Sequence, residues 1–157
     1  MGKPINDTIL SREELTTKKH LTYRLEDIRT SLEKIRQVPQ AVVVHVGTNN
    51  LDDTAEKLVN KIEGIMPNSK VIFSNLLVRG DNHQKVIKLQ YVNAAINMKH
   101  ESDHNVSCCM NDNINKTHLA SDGVHLTEHG TARLANNIKY AVAKSLNVEV
   151  KKKRNIR

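Results

Sequence analysis

Residues 41–46, Ala-Val-Val-Val-His-Val closed by Gly47, constrain the fold of this chain more than any other stretch. β-Branched side chains are stiff at χ1 and pack well on a pleated surface. A strand that is apolar at almost every position has both faces covered, as in a parallel sheet flanked by helices. Residues 70–75 repeat the pattern with Val71, Ile72 and Phe73 at the centre, and residues 106–110 form a shorter third run. His45 lies inside the first run and reads as a hydrogen-bonded core residue.

Helical spacing separates these runs. Leu21, Leu25, Ile28, Leu32 and Ile35 recur every three or four residues, and Pro39 closes that segment. Ala55, Leu58, Val59, Ile62 and Ile65 mark a second helix ending before Pro67. A third is expected over residues 83–98, after a loop carrying Arg79, Gly80 and Asp81. The last begins near Thr127, a good N-cap, and carries Leu134, Ile138, Ala141, Val142 and Leu146. Strand–helix alternation predicts an α/β fold, a three-layer α/β/α sandwich with a mostly parallel, flavodoxin-like sheet. Ligands of such sheets collect beyond the carboxyl ends of the strands.

At 157 residues the chain fits one domain, expected over residues 1–148. The net charge is +7, but Lys151, Lys152, Lys153, Arg154 and Arg157 supply five of those charges, leaving +2 for residues 1–150. The basicity belongs to an unstructured tail at 149–157, whose sharper reading is contact with nucleic acid or an acidic partner. One Phe, three Tyr and no Trp argue against a base-stacking platform. Cys108 and Cys109 are adjacent on a predicted strand, point to opposite faces and read as free thiols in a reducing compartment. With no apolar run of membrane-spanning length and no signal core, a cytoplasmic or nuclear location is expected.

Two short motifs carry chemistry. Gly47-Thr48-Asn49-Asn50 follows the first apolar run, so Asn49 stands just past a strand end, where its amide can donate to a developing oxyanion. Asp122-Gly123-Val124-His125 precedes the last helix, and an acid three residues before a histidine can hold the imidazole tautomer. Each alone is also a common turn. His100-Glu101-Ser102-Asp103-His104 matches the zinc-protease pattern but lies in a polar stretch at a predicted helix end. It reads as a solvated terminus, and no metal site is expected.

In this order and context the two motifs resemble the SGNH hydrolase superfamily, also called GDSL-like esterases. The stretches Val43-Val44-His45-Val46-Gly47-Thr48-Asn49-Asn50-Leu51 and Asp122-Gly123-Val124-His125-Leu126-Thr127 are similar to the forms common in animal and retroelement-associated members. The resemblance extends over most of the chain, from Tyr23 to Leu146. It implies a carboxylic-ester hydrolase needing no cofactor, with His125 as general base, Asp122 as its orienter, and Asn49 with the Gly47 turn binding the oxyanion of an acyl-ester substrate.

Where the family carries Gly-Asp-Ser, this chain offers Asn6-Asp7-Thr8, making Thr8 the candidate nucleophile. Only five residues precede that block and Pro4 is among them, so the first strand is expected to be short or absent. No glycine stands between Gly2 and Gly47 to supply the family's second oxyanion amide. These departures imply a degenerate site with weak or lost activity. The alternative is a non-catalytic binding module whose Lys151–Arg154 tail contacts nucleic acid or an acidic partner.

Overall fold

The structure, a computed structural model, describes residues 38–45, 60, 64 and 66–150. Three parallel strands form its sheet: β1 (Ala41–Val44), β2 (Lys70–Ser74) and β3 (Val106–Cys109), in the order β1-β2-β3. Ala41 pairs with Lys70 and Val44 with Phe73, while Val71 pairs with Val106 and Ser74 with Cys109. Helix α1 (His83–Ser102) connects β2 to β3, and α2 (Glu128–Ser145) follows β3.

The register explains the layers. Alternate residues of a strand face opposite sides. On one side Ala41, Val43, Ile72 and Cys109 join Leu134, Ile138, Ala141 and Val142 of α2 in a single apolar cluster, closed by Ile114. On the other side Cys108 donates its thiol to the carbonyl of Ile96 in α1 at 3.6 Å. One helix therefore covers each face, giving the α/β/α arrangement expected. Val71, Ile72 and Phe73 in the middle strand are essentially inaccessible.

Most element boundaries follow local chemistry. Thr127 caps α2 as expected, accepting from the Gly130 amide and donating to the carbonyl of His118, both at 3.1 Å. Asn82 caps α1 by accepting from the amides of Gln84 and Lys85. Helix α1 runs four residues past the expected end at Met98, to Ser102, with Asp103 as its C-cap. Its last turn packs little apolar surface, so hydrophobic spacing carries no signal there. β1 ends at Val44 and β3 at Cys109, each short of the expected end. Asn60 and Gly64, within the helix expected over 55–65, are helical.

Two expectations are refined. His45 stands just beyond β1 rather than within a strand, and its Nδ1 lies 3.0 Å from Ser74 Oγ as a hydrogen-bonded residue. The polar composition of residues 111–124 predicts a loop, and within it the structure has a 3-10 turn, Lys116–His118, whose His118 is buried with its ring 5.1 Å from that of His129. Both cysteines are free, and burial together with the neighbouring Cys109 pushes the Cys108 thiol up to about 11. Among the described residues, no helix is long and apolar enough to cross a membrane. The helix expected over 21–35, the first block, and the basic tail with Lys151, Lys152, Lys153 and Arg154 lie outside the described residues.

Candidate active site

The loop between β3 and α2 carries Asp122 and His125, and its backbone is closed on itself. Leu119 and Leu126 form an isolated antiparallel bridge, the Ala120 amide donates to the His125 carbonyl at 2.7 Å, and the Gly123 amide donates to the Ala120 carbonyl at 2.9 Å. Gly123 sits at φ +68°, the left-handed region where a side chain would be strained. That reversal lets the chain fold back so that Asp122 reaches residues ahead of it.

Both carboxylate oxygens of Asp122 are engaged. Oδ1 accepts from the amides of Val124 and His125, each at 2.9 Å, while Oδ2 pairs with His125 Nδ1. The bond to the His125 ring, followed by the two backbone donors, holds the Asp122 carboxyl well below the usual carboxylate range. Asp122 is therefore an anion at neutral pH, and its contact with Nδ1 leaves the His125 Nε2 free of it. The side chains remain 47% and 60% exposed, so a substrate can reach the ring. An ionised carboxylate behind an accessible imidazole is the arrangement a general base needs.

The sequence brought Asp122 and His125 together by spacing, and the structure pairs them. Thr8, Gly47 and Asn49 lie outside the described residues. Among the described residues no group of three or more His, Cys, Asp and Glu side chains could hold a metal ion. In the segment matching the zinc-protease pattern, His100 Nδ1 lies 2.8 Å from the Val106 carbonyl.

Sequence reasoning missed a polar cluster at the carboxyl ends of the strands. Asn111, just after β3, donates to Ser74 Oγ at 3.0 Å and to the Asn75 carbonyl at 2.7 Å, and it accepts from Asn137 of α2 at 3.0 Å. His45 reaches the same Ser74 hydroxyl. Ser74 and Asn111 are buried, so they tie β1, β2, β3 and α2 together rather than meet a substrate. The Asn-rich composition after β3 was the available signal, but Asn is as common in turns.

A second loop supports the first. Arg79, only 7% exposed, donates through Nε to Asp81 Oδ1 at 2.8 Å and through Nη2 to Oδ2 at 2.6 Å. The Arg79 fork holds the Asp81 carboxyl down to about 2. A folded-state value below the unfolded one, roughly 3.9, means the contribution to stability is full above that pH and is lost as pH falls toward about 2. Asp122 acts in the same direction. Urea midpoints measured from pH 7 down to 2.5 should fall below about pH 4. In Asp81→Asn the midpoint should start lower at pH 7 and fall less steeply; an unchanged acid limb would contradict the pairing.

No family model matches the chain. It is similar to platelet-activating factor acetylhydrolase IB subunit alpha2 of Homo sapiens, 38% identical over 88 residues, which are 52% of this chain and 35% of that one. The chain thus matches only about a third of that relative's length. Among solved structures it is similar to a mutant acetyl esterase with an acetate ion: TM-score 0.62, 19% identity, 81% of this chain and 70% of the other. It is also similar to a GDSL-like lipase from Bacteroides thetaiotaomicron, with TM-score 0.57, 20% identity, 77% of this chain and 69% of the other. These likenesses show that the chain has the α/β fold of those proteins.

Proposed function

We propose that this chain is a carboxylic-ester hydrolase domain of SGNH type, with a turnover lowered by its nucleophile block. The observation that carries this reading is the Asp122–His125 pair on the loop beyond β3, with the carboxylate saturated by two amides and the imidazole. The esterase and lipase structures that share the fold support the reaction class. A local sequence likeness to an acetylhydrolase subunit supports a short acyl group.

In this mechanism His125 Nε2 takes the proton of the Thr8 hydroxyl as Thr8 Oγ attacks the ester carbonyl carbon. The carbonyl π electrons move to oxygen, and the Asn49 amide donates to that oxyanion. Collapse of the tetrahedral species breaks the bond to the alcohol, which leaves with the proton held by His125. Water, deprotonated by the same ring, then releases the acid and restores Thr8. Asp122 stabilises the imidazolium at each stage. The step needs no metal or organic cofactor. The methyl group of Thr8 crowds the attack and stiffens χ1, which lowers the rate relative to serine.

The test compares p-nitrophenyl acetate and butyrate hydrolysis by the chain and by His125→Ala. A His125-dependent rate supports the proposal, and equal rates for the two proteins overturn it.

A further inference from the structure

The acid–histidine turn rests on the Arg79–Asp81 loop through a backbone contact. Gly80 donates its amide to the Gly123 carbonyl at 2.8 Å. A Cβ on Gly123 would lie 3.1 Å from the Gly80 carbonyl carbon and 3.2 Å from both Gly80 Cα and the Asp81 nitrogen. A Cβ on Gly80 would lie 3.4 Å from Gly123 Cα. The two segments approach this closely because position 123 is glycine, at a positive φ, while a Cβ at Gly80 would already be in contact with Gly123.

The Gly80 side of the contact is anchored twice. The Arg79 guanidinium grips the Asp81 carboxylate through two nitrogens, a bidentate geometry that fixes direction as well as distance. Upstream, Asn93 of α1 clasps the backbone of Leu76, accepting from its amide at 2.7 Å and donating to its carbonyl at 3.1 Å. The Gly123 side is held by its own backbone bonds, Ala120 to His125 and Gly123 to Ala120, while the side chains of Asp122 and His125 are about half exposed. The turn that aims them is set by its backbone.

Resting on the hydrolase reading above, we propose that Arg79, Gly80 and Asp81 are positioning residues for the Asp122–His125 pair. The Arg79–Asp81 fork fixes Gly80, and Gly80 fixes the turn. Asp122 can meet two amides and an imidazole at once only while that turn keeps its shape. A shift of Gly123 would disturb that set without touching either side chain.

The test uses the full 157-residue chain with Gly80→Val, whose side chain presses on Gly123, and Asp81→Asn, which loosens the fork without adding bulk. Ile138→Val is the control, lowering stability from the core without touching the loop. The carbon-13 titration of the Asp122 carboxyl reads the turn directly. In folded Gly80→Val or Asp81→Asn it should move up by about one pH unit, while in Ile138→Val it stays as in the parent. The kcat for p-nitrophenyl acetate should fall about tenfold or more with KM unchanged, since small misplacements of catalytic groups are costly. Folded Asp81→Asn with a parental Asp122 titration would overturn the proposal. The titration needs no turnover, so absent hydrolysis would sink the hydrolase reading and leave this test standing. His125-dependent hydrolysis with an unmoved titration would sink only the positioning role.

Discussion

Replacing His125 by alanine is expected to lower kcat/KM for p-nitrophenyl acetate by about 10²–10⁴-fold, the range that a positioned general base contributes. The expectation rests on where the ring stands. Its Nδ1 is committed to Asp122, whose charge is secured by two backbone amides. Its surface is 60% open. A ring with that partner and that exposure is placed to take and return a proton during turnover. The folded state should be little affected, because both side chains of the Asp122–His125 contact are about half exposed, and exposed polar contacts of this kind are worth little to stability. Unchanged circular dichroism alongside a collapsed rate would separate chemistry from folding. A loss in proportion to unfolding would assign His125 a structural role instead.

The second large effect is on stability. Phe73→Ala is expected to cost about 3–5 kcal/mol, the range for deleting a buried aromatic side chain. Phe73 is 1% exposed and sits in the middle strand, paired to Val44 on one side and Cys108 on the other. It is the one phenylalanine of the chain, with no tryptophan to share its role. Neighbouring strands held in register cannot collapse into the space it leaves. Native domains are stable by only about 5–15 kcal/mol, so the variant should show a strongly lowered urea midpoint or lose cooperative unfolding. A midpoint within the error of the parent would mean that the sheet is not packed as described.

Much of this architecture was legible in the sequence because local signals and tertiary demand agreed. The β-branched run at 41–46 had to be a covered strand, and β1 with its partner β2 is in the sheet. Thr127 was readable as an N-cap because a hydroxyl before an amphipathic stretch satisfies the open amides of a first turn. Asp122 and His125 were readable because their partnership is local. The roles of Thr8, Gly47 and Asn49 rest on the resemblance, since those residues lie outside the described part of the chain.

What was illegible depends on contacts between segments far apart in sequence. Gly80 and Gly123 each looked like an ordinary turn glycine, and only their juxtaposition gives them a role. Gly130 is another case: a Cβ there would lie 2.5 Å from the His118 carbonyl oxygen, so the first turn of α2 sits directly on the 3-10 turn. The burial of Ser74 and Asn111 depends on β3 and α2 closing over them. Helix α1 was read short because its last turn, Lys99, His100, Glu101 and Ser102, carries no apolar side chain, and because apolar residues lie on both sides of the helix before it. Ile87, Tyr91 and Met98 face outward while Leu89 and Ile96 face inward, which blurs the amphipathic pattern that locates helix ends.

The central claim is that Thr8 is activated by His125 for acyl transfer, and an active-site-directed phosphonate tests it most directly. A fluorophosphonate forms a bond between phosphorus and the attacking oxygen and expels fluoride, so one turnover leaves a permanent mass increase. Intact-mass and peptide analysis should find a single adduct on the peptide containing Thr8, formed far more slowly in His125→Ala. No adduct, or one formed at the same rate in both proteins, would contradict the account.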